Sequence, residues 1–319
     1  MQLARMLMKK LAHLAGVLLI VTLFAALLVS LVPGDPVEVI APFSSPAQRD
    51  LMRAELNLDD PLPARYVSWL GDFVSGDLGS YYTVSGSRPV ADRISDALPV
   101  SILLLLYAQT LALLIAIPLG VIAAYRAGTR FDKAASGVAF AMLALPNFVL
   151  ALALAYYVGV KTDLVPPGGY VPFGEDVVEH FRRMILPSIS LAVGQIAIYM
   201  RLLRSDMIAT LQEDFIMVAQ AKGLPSSQIL WRHALRPSSI TLLTVAGLNI
   251  GTLIGGSVVI EVIYQVPGMG LLIHGAIVER QYVALQSAVA VIAVVYVLVN
   301  FFVDFLYTVI DPRIRHGRA

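Results

Sequence analysis

Six stretches of this chain stay apolar for longer than a water-soluble core requires: Leu11–Val32, Leu98–Tyr125, Ala134–Val160, Ile185–Met200, Ile240–Tyr264 and Gln286–Val309. A helix crossing about 30 Å of hydrocarbon needs roughly 20 mostly apolar residues. Backbone groups in lipid must also bond within their own segment. The pattern predicts an all-α integral membrane protein with six transmembrane helices. The fourth stretch is the weakest, short and interrupted by Gly194 and Gln195. Composition agrees, because only 14% of the 319 residues are charged, against about 25% in soluble domains. Mean hydropathy is +0.77. The basic start of the first stretch (Arg5, Lys9, Lys10) is signal-like. Its apolar run of about 22 residues exceeds the 7–15 of a signal core, so a retained anchor is expected.

Loop charge sets orientation in a membrane. With a cytoplasmic N-terminus, 14 of the 23 Lys and Arg fall inside, and of the lysines only Lys161 falls outside. Both termini are therefore expected in the cytoplasm. The organisation read from this is an anchor helix over 1–32, an external segment over 33–97, a five-helix core over 98–309 with a cytoplasmic loop over 201–237, and a cytoplasmic tail over 310–319. The external segment carries ten Asp and Glu against five Arg. Within it, Pro46–Leu56 and Pro63–Val74 have amphipathic helical spacing, and Gly76, Gly79, Gly86 and Pro89 read as turns. A net charge of +1 argues against a nucleic-acid partner. The absence of cysteine excludes disulfides, thiolate metal sites and cysteine nucleophiles. The five histidines (His13, His180, His233, His274, His316) show no metal-ligand spacing.

The 201–237 loop is the informative one. Phe215, Val218, Ala219 and Lys222 recur at i, i+3, i+4 and i+7, which predicts one helical face. Glu213 and Asp214 suit the positive N-terminal end of that helix. Gly223 can end it in a left-handed conformation, and Pro225 forbids its continuation. A second helix is expected over Ser227–Leu235, stopping near Pro237. Such a unit is a solvated connector, a DNA-reading helix-turn-helix, or a docking helix with Phe215 as plug and Ala219 and Ala221 as its small face. The membrane tether at both ends and the mixed charge disfavour DNA.

Particular runs carry a resemblance. Asp214-Phe215-Ile216-Met217-Val218-Ala219-Gln220-Ala221-Lys222-Gly223-Leu224, followed by Arg232-His233-Ala234-Leu235-Arg236, resembles the cytoplasmic loop of binding-protein-dependent ABC transporter permeases. More narrowly, it is similar to the B-type permease of dipeptide and oligopeptide importers. Pro33-Gly34-Asp35-Pro36, Leu58-Asp59-Asp60-Pro61-Leu62, Gly76-Asp77-Leu78-Gly79, Pro146-Asn147-Phe148, Gly255-Gly256-Ser257-Val258-Val259-Ile260-Glu261, Pro267-Gly268-Met269-Gly270 and Asp311-Pro312-Arg313 agree in the same order.

The resemblance implies a type I ABC importer permease. It implies partners: a second homologous permease, two ATPase subunits or domains, an extracytoplasmic binding protein and a peptide substrate. Relatives of this kind also import glutathione or nickel. The 214–224 run would be the coupling helix, with Arg232 and His233 behind it. The broader importer signature has Glu-Ala-Ala where this chain has Met217, Val218 and Ala219. The peptide branch has Arg at the first of these, so no charged contact is available at Met217. No Gly-x-x-x-x-Gly-Lys-Ser/Thr phosphate loop occurs, so ATP and Mg are expected on the partner ATPases and the chain itself is expected to be non-catalytic. An ion-gradient transporter is the alternative of another class. It usually shows inverted repeats, and none is visible here.

Other residues are weighed on position. Glu261, in the apolar end of the fifth stretch, is either a gate or solute-path carboxylate together with Gly255 and Gly256, or a structural partner. Gly247, Gly251 and Gly255 form a Gly-xxx-Gly ridge for helix packing, within the chain or against the second permease. Pro118, Pro146 and Pro187 predict kinks. Asp304 reads as paired with a cytoplasmic Arg or water. Trp69 with Tyr66, and Tyr81 with Tyr82, are expected at the outer interface or on a landing surface for the binding protein.

Overall fold

Long apolar helices need no partner strand to satisfy their backbones, and helices dominate the structure. The computed structural model describes residues 2–31, 34–83 and 86–310. Pro33, Asp311-Pro312-Arg313 and the rest of the expected tail lie outside the described residues, as do the side chains of His13 and Asp304. The helices are α1 (Gln2–Ser30), α2 (Pro36–Ile40), α3 (Pro46–Glu55), α4 (Leu62–Ser75), α5 (Val90–Tyr125), α6 (Arg130–Ala144), α7 (Asn147–Leu154), α8 (Val177–Thr210), α9 (Asp214–Ala221), α10 (Ser226–Gln228), α11 (Leu235–Leu248), α12 (Ile250–Tyr264), α13 (Met269–Val278) and α14 (Tyr282–Ile310). Wider π turns continue α7 over Ala155–Lys161 and α10 over Ile229–Ala234.

Each of the six apolar stretches is helical, and among the described residues α5, α8 and α14 are single helices long and apolar enough to cross a bilayer. The third stretch is a bent pair, α6 and α7, turned by 97° at Leu145-Pro146. The fifth is α11 and α12, bent by 46° at Asn249. Among the described side chains, α1 is apolar over Leu14–Ser30. Among the described residues up to five spans result if each bent pair counts as one, two of them broken rods.

Two compact units share the chain. The first comprises residues 1–101 and 267–298. Its caps are legible chemistry. The Asp35 carboxylate accepts the Val37 amide at 3.0 Å and Arg53 Nη2 at 2.6 Å. Ser45 and Gln48 form a reciprocal capping box ahead of α3. Gly76, at φ +94, ends α4. A hairpin pairs β1 (Ser80–Thr83) with β2 (Gly86–Pro89) and was not expected from the turn residues. Gln281 clamps it, accepting the Tyr82 amide at 3.0 Å and donating to the Tyr82 carbonyl at 2.7 Å.

The aromatic residues expected at an outer interface are instead built into this unit. Trp69 is buried and donates Nε1–H to Ser287 Oγ at 3.0 Å. Tyr81 is buried and donates to Glu279 at 2.9 Å, with the Arg93 guanidinium over its ring. Tyr82 donates to Glu55 at 3.0 Å. Each polar tip finds a protein partner, which removes the reason to seek water or headgroups.

The second unit comprises residues 102–266 and 299–319. Ala108, Ala112 and Ala116 on α5 are fully buried at four-residue spacing. Gly120 continues the row, where a Cβ would lie 3.1 Å from the Met200 carbonyl on α8. The close small-residue contact therefore lies on α5. The ridge expected on the fifth stretch is interrupted, because the bend at Asn249 separates Gly247 from Gly251. Gly247 packs against Val303 of α14, while among the described residues nothing lies within 4 Å of where a Cβ on Gly255 would be. Pro187 sits inside α8, where Ser188 and Ser190 return hydroxyl bonds to the carbonyls of Met184 and Leu186. His180 is fully buried between Tyr107 Oη and the Val171 carbonyl, and anchors the chain ahead of α8.

Candidate functional site

The 201–237 loop folds as a short helix, a sharp turn and a second helix. Gly223, at φ +74, donates to the Gln220 carbonyl at 2.9 Å, and Leu224 donates to the Ala219 carbonyl at 3.3 Å. This pair of bonds closes α9 as a Schellman turn. Pro225 then begins the second helix. That helix does not stop at Pro237: it runs from α10 through the π turn into α11. Pro237 falls just after the π segment, within the continuing helix.

Packing fixes which way α9 faces. Ile216 and Ala219 are buried with Leu203 and Met207 of α8 and with Ile229 and Ala234, and Leu224 packs beside them. Asp214, Phe215, Val218, Ala221, Lys222 and Gly223 point outward. Ala219 thus leaves the expected contact face. Its three-residue relation to Ile216 overrides its four-residue relation to Phe215, since burying both with the core removes more apolar area from water. Arg232 is exposed and His233 half-buried.

The outward face is apolar to an unusual degree for a surface loop. Phe215 is 47% exposed, Met217 56% and Val218 53%. Trp231, on the neighbouring π turn, is 47% exposed. Trp231 is an exposed ring beside this face that the sequence reading did not single out. Its signal was available, an aromatic side chain directly ahead of Arg232 in a loop expected to be solvated.

The loop is tied to the helices that flank it. Thr210 Oγ1 at the end of α8 lies 2.9 Å from Ser238 Oγ on α11. Arg204 on α8 grips buried Asp132 on α6 through both guanidinium branches, the Nη2 bond being 2.7 Å, and Asp132 also accepts the Gly128 amide. Arg201 stacks over Phe140, 3.9 Å from its centroid. These contacts join α8 to α6 and to α11 on either side of α9.

The candidates near the end of the fifth stretch separate. Glu261 is fully buried in the last turn of α12, out of reach of water and solute in this conformation. Gly255 is exposed. Gly256 faces Leu191 and the Asn147 amide, which also reaches Gly194. The bend at Pro146 thus seats Asn147 between α8 and α12. Tyr264 secures that end by donating to the Ala151 carbonyl and meeting Ser190 Oγ, each at 3.0 Å. The structure does not gather Glu261, Gly255 and Gly256 around one opening.

Known proteins match both parts of the chain. Residues 116–316 match the family model described as binding-protein-dependent transport system inner membrane component. Residues 3–104 match the model for the N-terminal part of such membrane components. The oligopeptide transport system permease protein AppB of Bacillus subtilis is 34% identical over 94% of this chain and 96% of its own length. A Sinorhizobium fredii protein, "Probable peptide ABC transporter permease protein y4tP", is 35% identical over 97% and 98%. The MetNI methionine ABC transporter, in an inward-facing form, covers 69% of this chain and 96% of its own at a TM-score of 0.57. At 14% identity, that likeness speaks for the fold alone. The chain belongs to the binding-protein-dependent transport system inner membrane component family, the multi-pass permease component of ABC importers.

Proposed function

We propose that this chain is one of two permease subunits of an ATP-driven importer of peptides. The carrying observation is the outward apolar face of α9, Phe215 with Met217 and Val218, joined by Trp231. Exposed rings beside small residues are what a partner pocket recognises. The partner proposed is a cytoplasmic ATPase, which holds ATP and Mg; this chain holds neither. A second homologous permease completes the pathway, and an extracytoplasmic binding protein delivers solute. Peptides are proposed as cargo because AppB and its Sinorhizobium counterpart are named for peptide transport. Both termini are placed in the cytoplasm, with the 34–97 segment outside.

In this reading the ATPases close on ATP and draw the two coupling helices together. Arg204–Asp132 and Thr210–Ser238 carry the displacement into α6, α8 and α11, and the bends at Pro146 and Asn249 are where those rods articulate. Coupling of this kind needs two states and differential contacts in each. The role assigned to Glu261 is to hold the end of α12 in one of them.

The test is reconstitution with both ATPases, the second permease and the binding protein in proteoliposomes. Peptide uptake should require ATP, stop with orthovanadate, and vanish in Phe215→Asp. Uptake that ignores vanadate and follows an ion gradient would overturn the reading.

A further inference from the structure

Three of the sequence runs singled out above, around Asp35, Asp60 and Asp77, find no use in coupling or translocation. They meet in the unit of residues 1–101 and 267–298. There, Pro36, Leu58, Leu62, Asp77 and Gly79 border a cleft of about 290 Å³, close to the lower end of the size range of small-molecule sites.

Several donors of the cleft are not paired with an acceptor among the described residues. Arg280 has a left-handed backbone (φ +53), and its guanidinium lies over Gly34, where a Cβ would be 2.7 Å from Nη1. Glycine at 34 is thus the space in which that cation rests. Arg65, on α4, is the second cation of the lining. Neither arginine forms an ion pair with another described residue. Gln286 adds an Nε2 that is buried and finds no partner among the described residues. An unmade bond of that sort is costly, which points to an occupant bearing acceptors.

The same lining carries carboxylates. Asp72 is exposed, and Glu55 spends one oxygen on the Tyr82 hydroxyl. Asp77 spends one on the Gly79 amide. A plain anion would satisfy the arginines and be repelled by these acids, and a plain cation the reverse. A zwitterion satisfies both with charge-assisted bonds. The rings of Tyr66 and Trp69, with centroids 5.9 Å apart, supply apolar surface for its body.

We propose that this cleft binds a small amino-carboxylate zwitterion, of amino-acid to dipeptide size, with its carboxylate at Arg65 and Arg280 and its ammonium at the acidic rim. The site is built wholly from residues not assigned to coupling or translocation.

The chain has two tryptophans, Trp69 and Trp231. With Trp231→Phe, emission reports the cleft alone. The full chain in phosphatidylglycerol nanodiscs is titrated with alanyl-alanine and with its N-acetylated, C-amidated form. Free alanyl-alanine should change Trp69 emission saturably, and the blocked form should not. Arg280→Gln and Arg65→Gln should each weaken binding about tenfold, as loss of one charge-assisted contact implies. The proposal is overturned by no saturable response up to roughly 10 mM, by an equal response to the blocked peptide, or by unchanged affinity in both arginine variants. It is also overturned if phosphatidylethanolamine nanodiscs shift Trp69 emission and abolish the dipeptide response, since a lipid headgroup would then be the occupant. No ATPase or uptake enters the measurement, so its failure leaves the import reading standing.

Discussion

Single side chains carry two consequences that can be measured directly. Asp132 is buried and Arg204 is partly exposed, so removing the arginine strands a carboxylate away from water. Fully buried pairs broken in this way lose 3–5 kcal/mol; the partial exposure of Arg204 reduces the expected loss for Arg204→Ala to about 2–3 kcal/mol. A double-mutant cycle with Asp132→Ala, read by unfolding in detergent, should show coupling of about 1 kcal/mol or more. A value near zero would mean that the bond between α6 and α8 transmits nothing. The second consequence is alkaline. Burial, then the hydrogen bond and charge of Glu55, push the Tyr82 phenol from its ordinary 10.0 up to about 12. Burial and Glu279 raise Tyr81 as well. The protonated phenols are favoured in the folded chain. Their contribution is thus complete below pH 10 and is lost as pH rises through about 12 for Tyr82. Tyr82→Phe lacks this dependence, so its stability deficit relative to wild type should shrink between pH 10 and 12. Thermal unfolding at both ends of that window checks it.

Neighbouring positions on α9 divide by the face on which they lie. Phe215→Asp changes an exposed side chain and should leave stability within about 0.5 kcal/mol while uptake disappears. Ile216→Ala empties a buried site and should cost about 2–5 kcal/mol, with loss of uptake following loss of fold. Equal stability effects at both positions would place α9 in a different rotation. Much of this element was readable in advance, because Gly223 and Pro225 punctuate the chain with strong local chemistry. Amphipathic spacing over Pro46–Leu56 marked α3 in advance, and the Ser45–Gln48 box that caps it is found in the structure. The rotation of α9 was not readable, since Phe215 and Ile216 are both large and apolar and only the packing of Met207 and Ile229 chooses between them. The hairpin escaped because its four-residue strands are too short to show a period of two, and Gln281, distant in sequence, holds them. The sharp turn at Pro146 was foreseen as a kink but not as a break. Proline supplies the weakness, whereas the angle comes from Asn147 seating between Gly194 and Gly256.

At the scale of the molecule, six apolar stretches announced a membrane protein and local spacing announced the short helices between them, but nothing local announced how those helices pack. The 33–97 segment read as two short amphipathic helices separated by turns, and both helices are present. It is a packed unit whose aromatic residues are structural and whose cleft draws on the distant 280–286 segment. Long-range assembly of this kind leaves no periodic trace in the chain. Orientation, by contrast, rests on a global count. The segments assigned to the cytoplasm hold 14 of the 23 basic residues, including four of five lysines. A basic segment resists transfer across a bilayer. The absence of cysteine makes the chain a clean background for testing that bias. Ala47, on α3, and Ala127, between α5 and α6, are both exposed, so a cysteine at either position is open to reagent. In intact spheroplasts a membrane-impermeant maleimide should label Ala47→Cys and spare Ala127→Cys, and permeabilisation should make the second react as fully as the first. The opposite pattern would invert the chain. The apolar face of α9 would then point away from any ATPase, and the cleft at Arg280 would open to the cytoplasm.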